Sequence, residues 1–287
     1  MKHLLAVIGL MSLAAAAEAR CTESREIERN IDAAGLSSLD LIARAGSLRI
    51  EAGNGSAVHL RARLCSSEAK ALDRMDVSQD TVDGRLSLEA VIPWDTPGFD
   101  PESAYIDLEL RVPAALAIDA MDSSGDIVAR GVSLRSLRDS SGGIRIEDGR
   151  SGLRLEDSSG DIEIDGLAGD LELRDSSGDI EVEAVAGGVH VRVDSSGDIR
   201  LRDVGGPVRI DQDSSGGILV EQVRGGVHIG SDSSGSIEVR DVSGDVSVGS
   251  DGSGEIAVRD VRGNFSVREK GRGPISAHGV TGEVSLP

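Results

Sequence analysis

Six residues, Asp-Ser-Ser-Gly-Asp-Ile, return along this chain in full or with one or two changes, and their spacing constrains the fold more than any other feature. The motif opens at Asp122, Asp139, Asp157, Asp175, Asp194, Asp213, Asp232 and Asp251, in steps of 17, 18 and 18 residues and then 19. A degenerate copy, KGRGPI, starts at Lys270. A fixed period near 20 residues is the signature of a solenoid. Within the period Asp194 to Gln212, the triplets Ile199-Arg200-Leu201 and Val208-Arg209-Ile210 alternate with period two, which is strand patterning with one buried face. Gly205-Gly206 makes one corner and Ser195-Ser196-Gly197 the other. No ten-residue segment carries helical spacing. Each period therefore reads as a coil of two short strands, stacking on the next at about 4.8 Å.

The stack explains how the interior is filled. The chain has one Trp, one Tyr and two Phe (Trp94, Tyr105, Phe99 and Phe265), too few for an ordinary core. In register, Ile162, Ile180, Ile199, Ile218, Ile237, Ile256 and Ile275 form one inward ladder, and Ile164, Val182, Leu201, Val220, Val239 and Val258 another. β-Branched side chains suit such a confined, pleated interior. An outward column runs Arg130, Glu147, Asp165, Glu183, Arg202, Glu221, Arg240, Arg259. From Glu183 to Arg240 its sign alternates, so neighbouring coils can pair. The fold expected is all-β, a single-stranded parallel β-solenoid of ~18–19-residue coils, right-handed by analogy with most β-helices.

Three regions follow. Residues 1–19 have one lysine, an apolar run from Leu4 to Ala17 and the triplet Ala17-Glu18-Ala19, the layout of a signal peptide cleaved after Ala19. Residues 20–115 are irregular and strand-rich, with candidates at Leu39–Ala43, Ser47–Glu51, Val58–Leu64, Arg85–Ile92 and Tyr105–Val112 and a helical turn at Ser67–Arg74. They are expected to form wider first coils that cap the stack, since a bare terminal coil exposes apolar rows and unpaired backbone. Residues 116–287 are the regular solenoid. In the last coil Lys270 replaces the corner aspartate, and Pro274 and Pro287 remove donors. These changes blunt the open edge, so a monomer is expected.

The formal net charge is −20; losing residues 1–19 removes Lys2 and Glu18 and leaves it unchanged. Such a surface argues against nucleic acid and anionic membranes as partners, and no segment is long and apolar enough to span a bilayer. Cys21 and Cys65 both belong to the exported chain and form a disulfide in an oxidising compartment. The expected location is periplasmic or secreted.

The run Ile106-Asp107-Leu108-Glu109-Leu110-Arg111-Val112-Pro113, followed by Ser123-Ser124-Gly125-Asp126-Ile127 and further SGDI repeats, resembles a bacterial adhesin-like β-strand-repeat family of unknown function, akin to head GIN domain proteins. The similarity covers nearly the whole exported chain. It implies a binding role at the envelope and carries over no catalytic residue.

The repeated motif has an architectural and a chemical reading. In the first, the leading Asp accepts hydrogen bonds from amides two and three residues on, Ser hydroxyls reach the next coil and Gly supplies backbone freedom. In the second, aspartates stacked every ~4.8 Å repel one another and a calcium ion relieves the repulsion. Calcium repeats place one residue between acid and apolar position, whereas Asp161, Asp179 and Asp198 directly precede isoleucine; other coils have Gly143, Gly217, Ser236 or Glu255 there. Glu163 and Glu181 share an outward column at a glycosidase-like spacing, but any acidic ladder produces such pairs, and Arg145 and Arg200 flank them. His190 and His228 lie two coils apart with Arg209 between. The function expected is therefore non-catalytic: a binding and scaffolding protein of the envelope with no cofactor, no catalytic residue and no metal ligand. A calcium-binding repeat protein is the runner-up and a carbohydrate-active enzyme a distant third. The loop carrying Trp94 and Phe99, with Tyr105 beyond it, is the candidate partner-binding surface, and the partner is an unidentified envelope or surface component.

Overall fold

The computed structural model describes residues 21–287; the expected signal peptide lies outside them. Among these residues each regular coil gives one strand to each of two 13-stranded sheets. The coil after Asp194 shows the pattern: Ile199–Val204 lies in the first sheet and Val208–Asp213 in the second. Parallel pairing sets Ile162, Ile180, Ile199, Ile218, Ile237, Ile256 and Ile275 side by side. From Ile162 to Ile256 this ladder is at most 1% exposed, and Ile275 is half-buried in the last coil. The Ile164-to-Val258 ladder forms beside it, and the Arg130-to-Arg259 column stacks in the expected order on the outer face. In that column Arg130 meets Glu147 at 2.6 Å, and Glu221 is held by Arg202 at 3.1 Å and Arg240 at 3.0 Å.

Simple alternation does not carry through to the strand ends. In the first sheet Ile199, Leu201 and Val204 all point inward, so the last step is three residues. A left-handed residue makes that step, Asp203 with φ 48°, and the same place is taken by Asp148, Ala184, Gln222, Asp241 and Asp260. The residue in αL acts as a bulge, re-aiming the following side chain into the core. The second sheet absorbs the lengthening of the period: its register shifts where Leu173 pairs Val191 but Arg174 pairs Val193, so Arg192 is the inserted residue.

The N-terminal part differs from a series of wide first coils. Strands β1 (Glu23–Asp32), β2 (Ser38–Ile42), β3 (Leu48–Gly53), β4 (Ala57–Ser66), the short helix α1 (Ala69–Leu72), β5 (Asp76–Val82), β6 (Arg85–Val91), β7 (Ala104–Pro113) and β8 (Ala117–Met121) appear in chain order, but not in spatial order. The first sheet runs β1-β4-β7-β3 into the solenoid, and the second runs β5-β6-β2-β8. The coil β2–β3 thus sits inside the later coil β6–β7; β1 and β5 lie outermost, and β1, β4 and β5 pair antiparallel with their neighbours. The chain can reverse because Asp83 and Gly84, at φ 51° and 76°, form a two-residue turn between β5 and β6. Asp-Gly with both residues left-handed is the favoured hairpin connection. Arg25 and Arg29 of β1 reach across to the carbonyls of Met75 and Val77 at 2.6 and 2.5 Å, closing the end between the sheets. The helical turn is shorter than Ser67–Arg74; Ser66 Oγ, rather than Ser67, accepts the Glu68 amide at 3.1 Å. Cys21 and Cys65 form a disulfide with 5.4 Å between Cα atoms, tying the start of β1 to the end of β4.

Backbone approach at the corner explains why the motif cannot vary at its glycine. Gly216 has φ +131°, and a Cβ there would lie 1.7 Å from the carbonyl oxygen of Gly197 on the coil before. Its own N–H donates to Ser234 O on the coil after, at 3.2 Å. The next residue, Gly217, has room: a Cβ would meet nothing closer than Asp198 Oδ1 at 3.5 Å. Gly216→Ala is therefore expected to cost roughly 3 kcal/mol or more through strain and overpacking. Gly217→Ala should change stability by no more than about 1 kcal/mol, in either direction. Chemical denaturation of the two variants checks this, and equal destabilisation would contradict the corner geometry.

Candidate functional site

The motif residues meet in a row along one corner of the solenoid. Its leading aspartates do not face solvent. Asp122, Asp139, Asp157, Asp175, Asp194, Asp213, Asp232 and Asp251 are all 5% exposed or less, each turned inward at the end of a second-sheet strand. The three-residue step seen at Val204 recurs here, from Ile210 to Asp213. One carboxylate oxygen accepts from the amides that follow: Ser158 N on Asp157 at 2.7 Å, Ser176 N and Ser177 N on Asp175 at 2.6 and 3.3 Å, and Ser234 N on Asp232 at 3.0 Å. The donors are thus one and two residues on, not two and three, because the inward carboxylate sits beneath the start of the turn. From Ser141 to Ser234 the second serine of the corner donates its hydroxyl to the previous coil, as Ser177 Oγ does to Ser158 O at 3.2 Å and Ser215 Oγ to Ser195 O at 3.2 Å. The fifth residue works outward: Asp161 accepts from Asp179 N at 3.0 Å, and Asp179 from Asp198 N at 2.9 Å. The hydrogen bonds that the motif makes thus serve turn and stack.

Burial leaves a residue of unmet charge. The second oxygens of Asp139, Asp157, Asp175, Asp194 and Asp232, and both oxygens of Asp122 and Asp213, have no hydrogen-bond partner. Fully charged neighbours on coils ~4.8 Å apart would repel by about 3–4 kcal/mol per pair at an effective dielectric near 20. The carboxyls accordingly hold their protons to higher pH than a solvated aspartate does. Burial, reinforced by adjacent aspartates, pushes Asp213 up to about 7, and burial above all raises Asp122 to about 7. Asp139, Asp175, Asp194 and Asp232 rise to about 6 for the same leading reason. At the far end Lys270 takes the next position in the row and places its ammonium 2.8 Å from Asp251 Oδ2, with both side chains buried. Lys270 also donates to Gly254 O at 2.9 Å.

The remaining candidates are held in surface pairings. Glu163 and Glu181 are neighbours in register, but Arg145 bonds Glu163 and, at 2.6 Å, Glu147. Arg200 bridges Asp179 and Asp198 at 3.1 and 2.5 Å. His190 and His228 lie in one column with Arg209 between them, and they are partnered rather than free in solvent. His190 Nε2 lies 2.8 Å from Asp211 Oδ2, and His228 Nδ1 lies 2.8 Å from Ser247 Oγ. Among the described residues no group of three or more His, Cys, Asp or Glu side chains is placed to hold a metal ion, and no helix is long and apolar enough to cross a membrane. The three aromatic residues of the candidate loop separate. Phe99 is buried under the cap, with Trp94 edge-on at 5.3 Å and Arg74 over its ring at 5.4 Å. Trp94 is 47% exposed, while Tyr105 lies within β7 opposite Cys65.

The sequence pattern of the family described as Toastrack DUF4097 matches residues 24–206. No curated protein matches the chain. Among solved structures the chain is similar to a "putative cell adhesion protein" from Clostridium sporogenes, at 10% identity over 92% of this chain and 100% of that one, with a TM-score of 0.33. It is similar also to a "putative adhesin" from Parabacteroides distasonis, at 12% identity over 88% and 97% with a TM-score of 0.42. A "putative lipid binding protein" from the same organism gives 15%, 91% and 96%, with a TM-score of 0.39.

Removing the cation at the end of the row tests how the buried charge is balanced. Lys270→Met leaves Asp251 buried without its 2.8 Å partner. A loss of about 3–5 kcal/mol is expected, as for other broken buried pairs. The double variant Lys270→Met/Asp251→Asn should recover most of it in denaturant titrations. A single variant as stable as the wild type would contradict the pairing.

Proposed function

The chain belongs to the Toastrack DUF4097 family, and from that premise we propose that it is a non-catalytic binding and scaffolding protein of the bacterial envelope. The observation that carries this reading is the use made of the repeated corner. Its aspartates, serines and glycine are engaged by backbone and by neighbouring coils, as Asp175 is by Ser176 and Ser177 and Ser177 is by Ser158. The motif is thus a device for stacking, and its product is a pair of broad 13-stranded faces lined with charged columns. Such a body suits holding or contacting other components, which agrees with the family resemblance. The Cys21–Cys65 disulfide supports export to an oxidising compartment, periplasmic or secreted. The feature best placed to meet a partner is the loop of Trp94, whose exposed ring rests on the buried Phe99. Aromatic side chains with one face free are over-represented among binding hot spots.

Retention of purified envelope components on immobilised protein tests the reading. The full chain should retain a defined component, and Trp94→Ser, which removes a half-exposed side chain, should weaken retention at least tenfold while the melting temperature falls by only a few degrees. Calcium at millimolar concentration should shift Tm by no more than about a degree, since a ligand bound only by the folded chain would raise it by mass action. A rise of many degrees would favour the calcium-repeat reading. Release of reducing sugar from envelope polysaccharide would overturn the non-catalytic one.

A further inference from the structure

We propose that the buried aspartate row from Asp122 to Asp232 takes up protons as the chain folds, so that the solenoid gains stability in mildly acidic surroundings and loses it as the pH rises. The geometry points this way before any titration is considered. Eight carboxyls, one per coil, are at least nine-tenths buried. Seven of them, Asp122 to Asp232, have a single oxygen engaged or none, and the oxygens left over have no donor. A neutral carboxyl needs less solvation than a carboxylate, and its proton supplies a donor where donors are lacking.

The charged groups facing the row do not relieve it, with one exception. Asp139 faces Asp157 and Asp126, Asp175 faces Asp157 and Asp194, Asp194 faces Asp179, and Asp213 faces Asp194 and Asp232. Among the described residues the only cation facing the row is Lys270, which lies against Asp251 and is felt at Asp232. The row is thus compensated at its C-terminal end and bare along the rest.

The sign follows from linkage. A carboxyl ordinarily near 3.8 that sits at about 6 to 7 when folded holds its proton in the native chain through a range where the unfolded chain has lost it. Stability therefore falls as pH rises from about 4 to about 7, and levels off above. His228 works in the opposite sense, since burial and then Arg209 lower its pKa. Asp179 is held below its usual value by the Asp198 amide and Arg200, and Glu147 by Arg145 and Arg130, so both act only in stronger acid. One histidine opposes many aspartates.

The experiment is thermal unfolding of the full chain, disulfide intact, in buffers from about pH 8 to about pH 5. Tm is expected to rise by several degrees on acidification, and unfolding at about pH 6 should release protons in a pH-stat. The triple variant Asp175→Asn/Asp194→Asn/Asp213→Asn keeps the amide-accepting oxygen at positions 175 and 194 and removes charge at all three. It should melt higher than wild type at pH 8 and show a shallower pH dependence, whereas outward Glu147→Gln, away from the row, should leave the slope unchanged. A wild-type Tm that falls or stays level between pH 8 and pH 5 overturns the proposal. So does an absence of proton release on unfolding, a readout that needs no variant to fold.

Discussion

One backbone-to-backbone contact governs this molecule: at the corner of each coil a glycine lies against the glycine carbonyl of the coil before it. At Gly178, Gly197, Gly216 and Gly235 an added Cβ would fall 1.6–2.0 Å from that oxygen, with φ between +128° and +144°. Only glycine adopts this conformation and permits this approach at low cost. Because the corners can stack in only one way, the rise between coils and the register of both sheets are fixed together. The aliphatic ladders, the paired outer columns and the position of every corner aspartate follow from that register.

The same constraint creates the principal strain in the fold. Stacking identical corners also stacks identical side chains, and at the leading position these are carboxylates turned into the interior. The chain accommodates them with the amides of the turn, as at Asp157 and Asp175, and with Lys270 at the end of the row. Outer columns face the same problem more mildly, because water screens them and arginines interrupt the runs of acids. Pairs such as Arg202–Glu221 and Arg240–Glu221 contribute about 0.2–1 kcal/mol each. A repeat protein that gains its core by copying one coil must therefore vary, or protonate, whatever charge it copies.

The period, the inward ladders and the order of the outer columns were legible in the sequence because each is a direct consequence of residue spacing. The burial of the leading aspartates was not. An Asp opening a turn is ordinarily solvated, and the signal against this was spacing: Asp139, Asp157 and Asp175 stand two residues after inward Leu137, Leu155 and Leu173, in step with the alternation, while Asp213 stands three after inward Ile210, as Val204 stands three after inward Leu201. A strict period of two hides that step, and the left-handed residue that makes it in the first sheet, Asp203, has no distinctive side chain. The fold-back of the N-terminal strands was also missed, although Asp83-Gly84 between Asp76–Val82 and Arg85–Val91 announces a hairpin. Strand β1 escaped notice because it is an outermost, largely exposed strand with Ile27 and Ile31 as its only large apolar residues. Of the aromatic loop, the sequence could place Trp94 and Phe99 together but could not tell the exposed ring from the buried one.

Carbon-detected NMR titration of the aspartate side-chain carboxyls, site by site, bears most directly on the claim that the corner is an architectural element with buried carboxyls. Asp122, Asp139, Asp175, Asp194, Asp213 and Asp232 should titrate with midpoints at about 6 to 7, unmoved by millimolar calcium, while outward Asp179 titrates below 3.8. Corner carboxyls that titrate near the ordinary value of an exposed aspartate, or whose midpoints drop on adding calcium, would contradict it.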